Sequence, residues 1–229
     1  MPEPAILVED AVKRWRSGGE VHELRLPRLE VAPGERVALM GASGSGKTTL
    51  LNLVGGLLTP DAGRVVVAGV EVTALGEAAR DRFRAEHVGY LFQTFHLLDG
   101  YTALENVELG AAFTRRLRRG ARERAEALLR RLGLGERLHH PPSRLSIGQQ
   151  ARVALARALV DHPAVLLADE PTGALDEASA AVVLELVLDS AAEVGATVLC
   201  ATHDPEVAAA FDRTVHLGAA GPPPSRSGS

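Results

Sequence analysis

GASGSGKT, residues 41–48, decides how this chain is read. The stretch satisfies G-x-x-x-x-G-K-[S/T], with the apolar run VALM before it and the helix-patterned KTTLLNLVGGLL after it, the order that a phosphate-binding loop requires. A glycine-rich turn leaves its backbone N–H groups free to wrap a β-phosphate, and the helix start behind it adds partial positive charge. Lys47 brings a mobile cation to the β- and γ-phosphates, and Thr48 offers a hydroxyl to Mg²⁺. Gly41, Ala42, Ser43, Gly44, Ser45, Gly46, Lys47, Thr48 and Thr49 are therefore the candidate cradle for a nucleotide.

Such a loop needs a carboxylate to hold the metal. VLLADE, residues 165–170, ends an apolar strand pattern in two adjacent acids, whose side chains should point to opposite faces by strand alternation. Asp169 is the natural partner of Mg²⁺ through its water, and Glu170 is placed to polarise an attacking water as general base. On its own the pair would read as a solvated strand end; the phosphate loop upstream gives it chemistry.

Composition narrows the setting. A chain of 229 residues with 46% hydrophobic content can bury one substantial core and is not a short disordered module. A net charge of -4 provides no general attraction to nucleic acid or an anionic membrane, so any such contact has to be local. The single cysteine, Cys200, forms no intrachain disulfide and reads as packing within a buried strand. The first ten residues lack a basic start and an apolar stretch, and nowhere do 18 apolar residues run together, so neither a signal peptide nor a membrane span is expected.

Along the chain, ILVED, ELRLPRLEV and ERVALMG read as strands in a β-rich opening, with a Pro33-Gly34 turn. A helix is expected over residues 47–58, ended by Thr59 and Pro60, after which RVVVAGVEV returns to strand character. Residues 102–160 read as helical with loops between; Ala121, Ala125, Leu128, Leu129 and Leu132 share a face, and Gly133 is placed to end that helix. VLLADE and TVLCATHD are short apolar runs of the buried parallel-strand kind, separated by the helical ASAAVVLELVLDSAAEV. The expected fold is α/β with a helical insertion, and the last ten residues, 220–229, read as a disordered tail.

GASGSGKT, YLFQ, LSIGQQARVALARAL, VLLADEPTGALD and ATHD, in this order and spacing, together resemble an ATP-binding cassette (ABC) ATPase over nearly the whole chain. The resemblance implies a P-loop NTPase fold over residues 1–219, with an antiparallel β subdomain and an α-helical subdomain inserted at about 95–160. It implies ATP and Mg²⁺ as ligands, and a head-to-tail dimer in which each ATP lies between the phosphate loop of one subunit and the signature helix start of the other. On that arrangement LSIGQQ reads the phosphates of the neighbour's nucleotide.

On the same resemblance, Gln93 is similar to the glutamine that contacts the metal from a loop sensing the membrane partner. Ser146 and Gly148 would hold the γ-phosphate across the dimer by hydroxyl and backbone N–H, with Gln149 beside them in the signature; Arg144 and Gln150 are neighbours that could simply be solvated. Asp176 resembles the aspartate of the dimer contact, and it equally reads as an N-cap for the following helix. His203 is similar to the switch histidine that touches the γ-phosphate and orders the attacking water. Trp15 takes the place of the adenine-stacking aromatic, more often tyrosine, with a core role as its alternative. Ile147 stands where the family pattern has a glycine, and a β-branched side chain there would be strained if the position needed positive φ.

RRLRRGARER, residues 115–124, is a basic run interrupted by Glu123 and without interleaved aromatics, so no nucleic-acid partner is expected. Lipid headgroups or acids of a membrane partner are the alternative role for these arginines. LLNLVGGLLTPDAG, FHLLDGYTALENV and LLADEPTGALD most closely resemble ATPases of the macrolide-export and lipoprotein-release type. That similarity implies an ATP-hydrolysing homodimer that powers an integral-membrane permease from the cytoplasmic face of the membrane, to which it is peripherally bound. A non-transport ABC ATPase, such as a cell-division or mechanotransmission regulator, is the alternative.

Overall fold

The computed structural model describes residues 3–17, 19–112 and 120–218. The chain opens with two long antiparallel strands, β1 (Ile6–Ser17) and β2 (Glu20–Val31), paired from Ile6↔Val31 to Ser17↔Glu20. After β3 (Arg36–Met40) and the helix α1 (Lys47–Val54), β4 (Ala62–Val67) and β5 (Val70–Glu71) return to the hairpin, giving a four-stranded sheet in the order β2-β1-β4-β5. Alternate residues Ile6, Val8, Leu29 and Val31 are buried, as expected for a sheet with one covered face.

The second sheet is parallel. Helix α2 (Glu77–His87) leads into β6 (Val88–Leu91); the helices α3 (Ala103–Ala111), α4 (Ala121–Arg131) and α5 (Ile147–Leu159) follow, then β7 (Val165–Asp169), α6 (Glu177–Glu193), β8 (Thr197–Thr202), α7 (Pro205–Ala209) and β9 (Arg213–His216). The strand order is β6-β7-β8-β3-β9, with every pair parallel. Both faces are covered, so each strand divides its apolar residues between two cores. Ala38, Leu166, Ala168, Val198 and Cys200 pack with the helices α3 to α6, whereas Val37, Leu39, Leu167, Leu199 and Ala201 pack with α1 and the antiparallel sheet. Cys200 is fully buried, and desolvation pushes its thiol pKa up, consistent with packing and not with chemistry.

The helical subdomain follows its sequence pattern. Ala125, Leu129 and Leu132 are buried, Ala121 and Leu128 are packed partly against them, and Gly133 ends α4 with φ of 75°. The first helix departs from expectation. It stops at Val54, not Leu58, because Gly55 caps it and Gly56 takes φ of 66°; a side chain at Gly55 would approach Leu167 Cδ1 at 3.1 Å. Helices α2 and α7 and strand β9 are not marked by the sequence patterns, being highly charged in the first case and very short in the others. The expected tail at 220–229 lies outside the described residues.

This architecture places strand ends where chemistry can occur. The carboxyl ends of β3 and β7 lie on either side of β8, so the loops after Met40 and Asp169, and the one after Thr202, open at the same edge of the sheet.

Candidate functional site

At that edge lies a cavity of about 600 Å³ lined by Trp15, residues 43–49, Gln93, Asp169, Glu170 and His203. The phosphate loop is held open by its own backbone. Gly44 and Gly46 have φ of 79° and 95°, a region that other residues reach only with strain. Gly46 also caps α1 and lies so close to the hairpin that a Cβ would be 3.0 Å from Leu24 Cδ1. Gly41 and Ala42 do not line the cavity, but their carbonyls accept from Lys47 Nζ at 2.7 and 3.4 Å. Lys47 is 8% exposed, and its ammonium sits 3.9 Å from Glu170 Oε1. Ser45 Oγ is buried and has no partner among the described residues.

The two acids at the end of β7 correct one expectation. Strand alternation should send Asp169 and Glu170 to opposite faces, yet both line the cavity. Glu170 has left the strand: its φ of 46° turns the backbone, at a cost of about 1–2 kcal/mol for a residue with a side chain. Its N–H donates to Ala201 O at 2.9 Å, which fixes the turn against β8. Glu170 Oε2 then lies 2.9 Å from His203 Nδ1. A carboxylate can only accept, so Nδ1 carries the proton in this contact. Burial raises the pKa of the Asp169 carboxyl, the Glu170 charge adds to the rise, and the Thr48 hydroxyl and Lys47 charge oppose it.

Gln93 follows β6 and reaches the same cavity: a methyl at Gly173 would sit 3.9 Å from its amide nitrogen and 3.7 Å from Glu170 Cβ. Trp15, at the far side, stacks on His22 with ring centroids 5.7 Å apart and planes inclined by 21°. The two are cross-strand partners in the hairpin. Local sequence pattern gives His22 no role, because only the strand register reveals that it backs the indole.

The remaining residues form a second group, away from the cavity. Ser146 is the N-cap of α5; its hydroxyl accepts from Gln149 N at 3.2 Å while Gln149 Oε1 accepts from Ser146 N at 3.0 Å. Ile147 is the first helical residue and is not among the positive-φ positions, so its β-branch is not strained. Ile147 and Gly148 have N–H groups in the first turn, where no carbonyl of the helix can accept them. Asp176 caps α6, accepting from Ser179 N at 3.0 Å and Ser179 Oγ at 2.7 Å, and these bonds hold its carboxyl below the usual range. A Cβ at Gly148 would touch Ser179 at 3.8 Å, so the Asp176 turn and the signature start share one surface. Of the basic run, residues 115–119 lie outside the described residues; Arg122 pairs with Glu108 and Glu126, and Arg124 with Asp161.

Comparison with known proteins shows the family of the chain. The family model described as ABC transporter matches residues 24–173. The lipoprotein-releasing system ATP-binding protein LolD of Pseudomonas fluorescens is 48% identical over 219 residues, covering 95% of this chain and 96% of that protein. The macrolide export ATP-binding/permease protein MacB of Bartonella henselae is 44% identical over 215 residues, which cover 93% of this chain and 32% of that longer protein. Among solved structures, the dimeric post-hydrolysis state of the ATP-binding cassette MJ0796 bound to ADP and Pi superimposes with a TM-score of 0.84 at 35% identity, covering 94% of this chain and 95% of that one.

Proposed function

The chain belongs to the ABC transporter family as an ATP-binding and ATP-hydrolysing subunit, and from that premise we propose that two copies close around two ATP molecules to drive a separate integral-membrane permease. One observation carries the reading. The phosphate loop that leads into α1 lines the nucleotide cavity, whereas the helix start at Ser146, with its free first-turn N–H groups, does not. The second has a use if it faces the nucleotide of another copy.

Within one site the division of labour follows the chemistry of the groups. The N–H groups of residues 43–48 and the Lys47 ammonium hold the phosphate chain. Trp15 offers the face not covered by His22 to the adenine. Thr48 and Asp169 supply a hydroxyl and a carboxylate for Mg²⁺, and Gln93 supplies an amide oxygen. No group of three or more acidic, histidine or cysteine side chains among the described residues forms a metal cage. This donor set fits an ion that takes one or two carboxylates and completes its shell from phosphate and water. When bound, it would neutralise phosphate charge.

Glu170 accepts a proton from water as the water oxygen bonds to the γ-phosphorus; the bond from that phosphorus to the β–γ bridging oxygen breaks, leaving ADP and phosphate. His203 keeps the carboxylate aimed through the 2.9 Å contact. Ser146 Oγ and the Gly148 N–H of the opposing copy complete the phosphate's surroundings, with Gln149 locking the serine rotamer and Asp176 shaping the adjoining surface.

No helix among the described residues is long and apolar enough to cross a membrane, so membrane attachment is assigned to the permease. The partner's surface is a cleft of about 410 Å³ beside the Gln93 loop, lined by Tyr90, His96, Leu98 and Leu109, with Leu98 still 48% exposed. The chain then sits at the cytoplasmic face of the membrane.

The test is Glu170→Gln. With ATP and Mg²⁺ it should bind nucleotide, lose turnover and accumulate as a dimer by light scattering, since stalled hydrolysis leaves both nucleotides bridging the copies. Hydrolysis at the wild-type rate would remove Glu170 from the reaction, and a monomer at high concentration would count against closure.

A further inference from the structure

The loop that carries Gln93 turns through two consecutive left-handed residues that are not glycine. Phe95 and His96 have φ of 56° and 47°, a backbone that side-chain-bearing residues rarely adopt even singly. The Phe95 side chain is 5% exposed and packs in the core of the helical subdomain, which explains where the loop sits. Its packing does not explain the handedness of the turn. The partner that accounts for it comes from α5: Arg157 donates through Nη1 to His96 O at 2.7 Å and through Nη2 to Phe95 O. One guanidinium fork thus clasps both strained residues.

Arg157 forms no ion pair with a described carboxylate, and burial alone presses its pKa below the ordinary value for arginine. Burying a cation costs free energy unless hydrogen bonds satisfy it, and the carbonyls of Phe95 and His96 supply them for Arg157. Its helix is the one whose first turn carries Ser146 and Gly148, about 15 Å away along the axis at 1.5 Å per residue. Arg157 and His96 also line the 410 Å³ cleft, so the clasp lies between the Gln93 loop, the signature helix and that opening.

We propose that Arg157 is a positioning residue for hydrolysis, a strut that holds the Phe95–His96 turn left-handed and so keeps Gln93 directed into the nucleotide cavity. The proposal rests on the reading of Gln93 as a site residue. It extends that reading by tying the position of Gln93 to the rigid body of α5, so that a shift of the signature helix drags the loop. The fork is essential, because an ammonium offers a point charge that cannot hold two carbonyls in fixed relative orientation.

The experiment is a double-mutant cycle in the full-length chain with Arg157→Lys, which keeps the charge and the aliphatic stem, and Gln93→Ala. Arg157→Lys should lower kcat for ATP about tenfold or more with KM changed by about twofold or less, the pattern of an interaction that acts in the transition state. In the Gln93→Ala background the same substitution should add little, because the two residues act through one contact. Trp15 fluorescence on ATP addition should be the same in wild type and Arg157→Lys. Equal losses from Arg157→Lys in both backgrounds would show a general packing role and overturn the proposal, as would an unchanged kcat. If Gln93→Ala alone left kcat unchanged, the reading of Gln93 would fail, and the strut with it, by a route distinguishable from failure at Arg157. Should Arg157→Lys fold poorly, Arg157→Gln, which retains a planar polar head without the charge, supplies the same comparison.

Discussion

Replacing Ile147 by glycine restores the family pattern, and the structure predicts that this restoration makes the isolated chain less stable. Ile147 is the first residue of α5, has no left-handed backbone to relieve, and is 52% exposed. Glycine in a helix is worse than an ordinary residue by about 0.5 kcal/mol. Losing the covered half of an isoleucine side chain forfeits about 1 kcal/mol more. The sum, about 1–2 kcal/mol, should lower Tm by about 2–8 °C for a chain of this size, measured by calorimetry without nucleotide. ATPase rates with the permease present should change severalfold or less, since the N–H groups of the first turn and the Ser146 cap are retained. A rise in Tm would mean that Ile147 is strained, and the helical reading of its backbone would be wrong. A hundredfold gain in ATPase, about 2.8 kcal/mol in the barrier, would show that its bulk obstructs closure and that the homodimer does not have two working sites.

Gly148→Ala makes the complementary test: the added carbon meets only Ser179, at an ordinary 3.8 Å, so Tm should hold or rise while ATPase falls, locating the loss in the opposing copy's phosphate contact. Equal ATPase in wild type and Gly148→Ala would show that the opposing copy's phosphate does not come close enough to Gly148 to meet a methyl group. Lys47→Ala should abolish nucleotide binding in equilibrium dialysis, because the cation that stands nearest to the cavity's acids is then lost. Trp15→Ala should weaken ATP binding by about 1–3 kcal/mol, roughly 5- to 150-fold, with a smaller effect on ATPase at saturation. An unchanged Kd would return Trp15 to a packing role. Expressed alone, the chain should remain in the supernatant on sedimentation and pellet only with its permease; pelleting with protein-free lipid vesicles at physiological salt would instead favour direct lipid contact through residues 115–124.

How much of this is legible in the sequence depends on the range of the interactions involved. The phosphate loop is readable because a strand, a glycine turn and a helix start follow one another directly, and each has a local signature. The apolar runs at 165–169 and 197–202 are readable as strands for a related reason: burial on both faces removes polar residues from the run, and every one of these residues is buried. Helix caps at Ser146 and Asp176 likewise depend on residues three positions apart. What local pattern misses is pairing at a distance. His22 gains its role from the register that sets it opposite Trp15, and Arg157 from a helix that meets a loop 61 residues earlier.

Glu170 shows why even a local rule fails where chemistry occurs. Alternation holds while the backbone stays extended, and β7 ends at Asp169. One residue later the φ of 46° replaces alternation by a turn, and two carboxylates that a strand would separate are brought to one cavity. The strain is tolerated because Glu170 N–H is held by Ala201 O and its carboxylate by His203, while Lys47 stands 3.9 Å from the other oxygen. The same contacts that compensate the strained backbone are those that aim the base. A sequence pattern alone carries no sign of this, since the turn is stabilised by β8 and by His203 in the loop after it, 33 residues further along the chain.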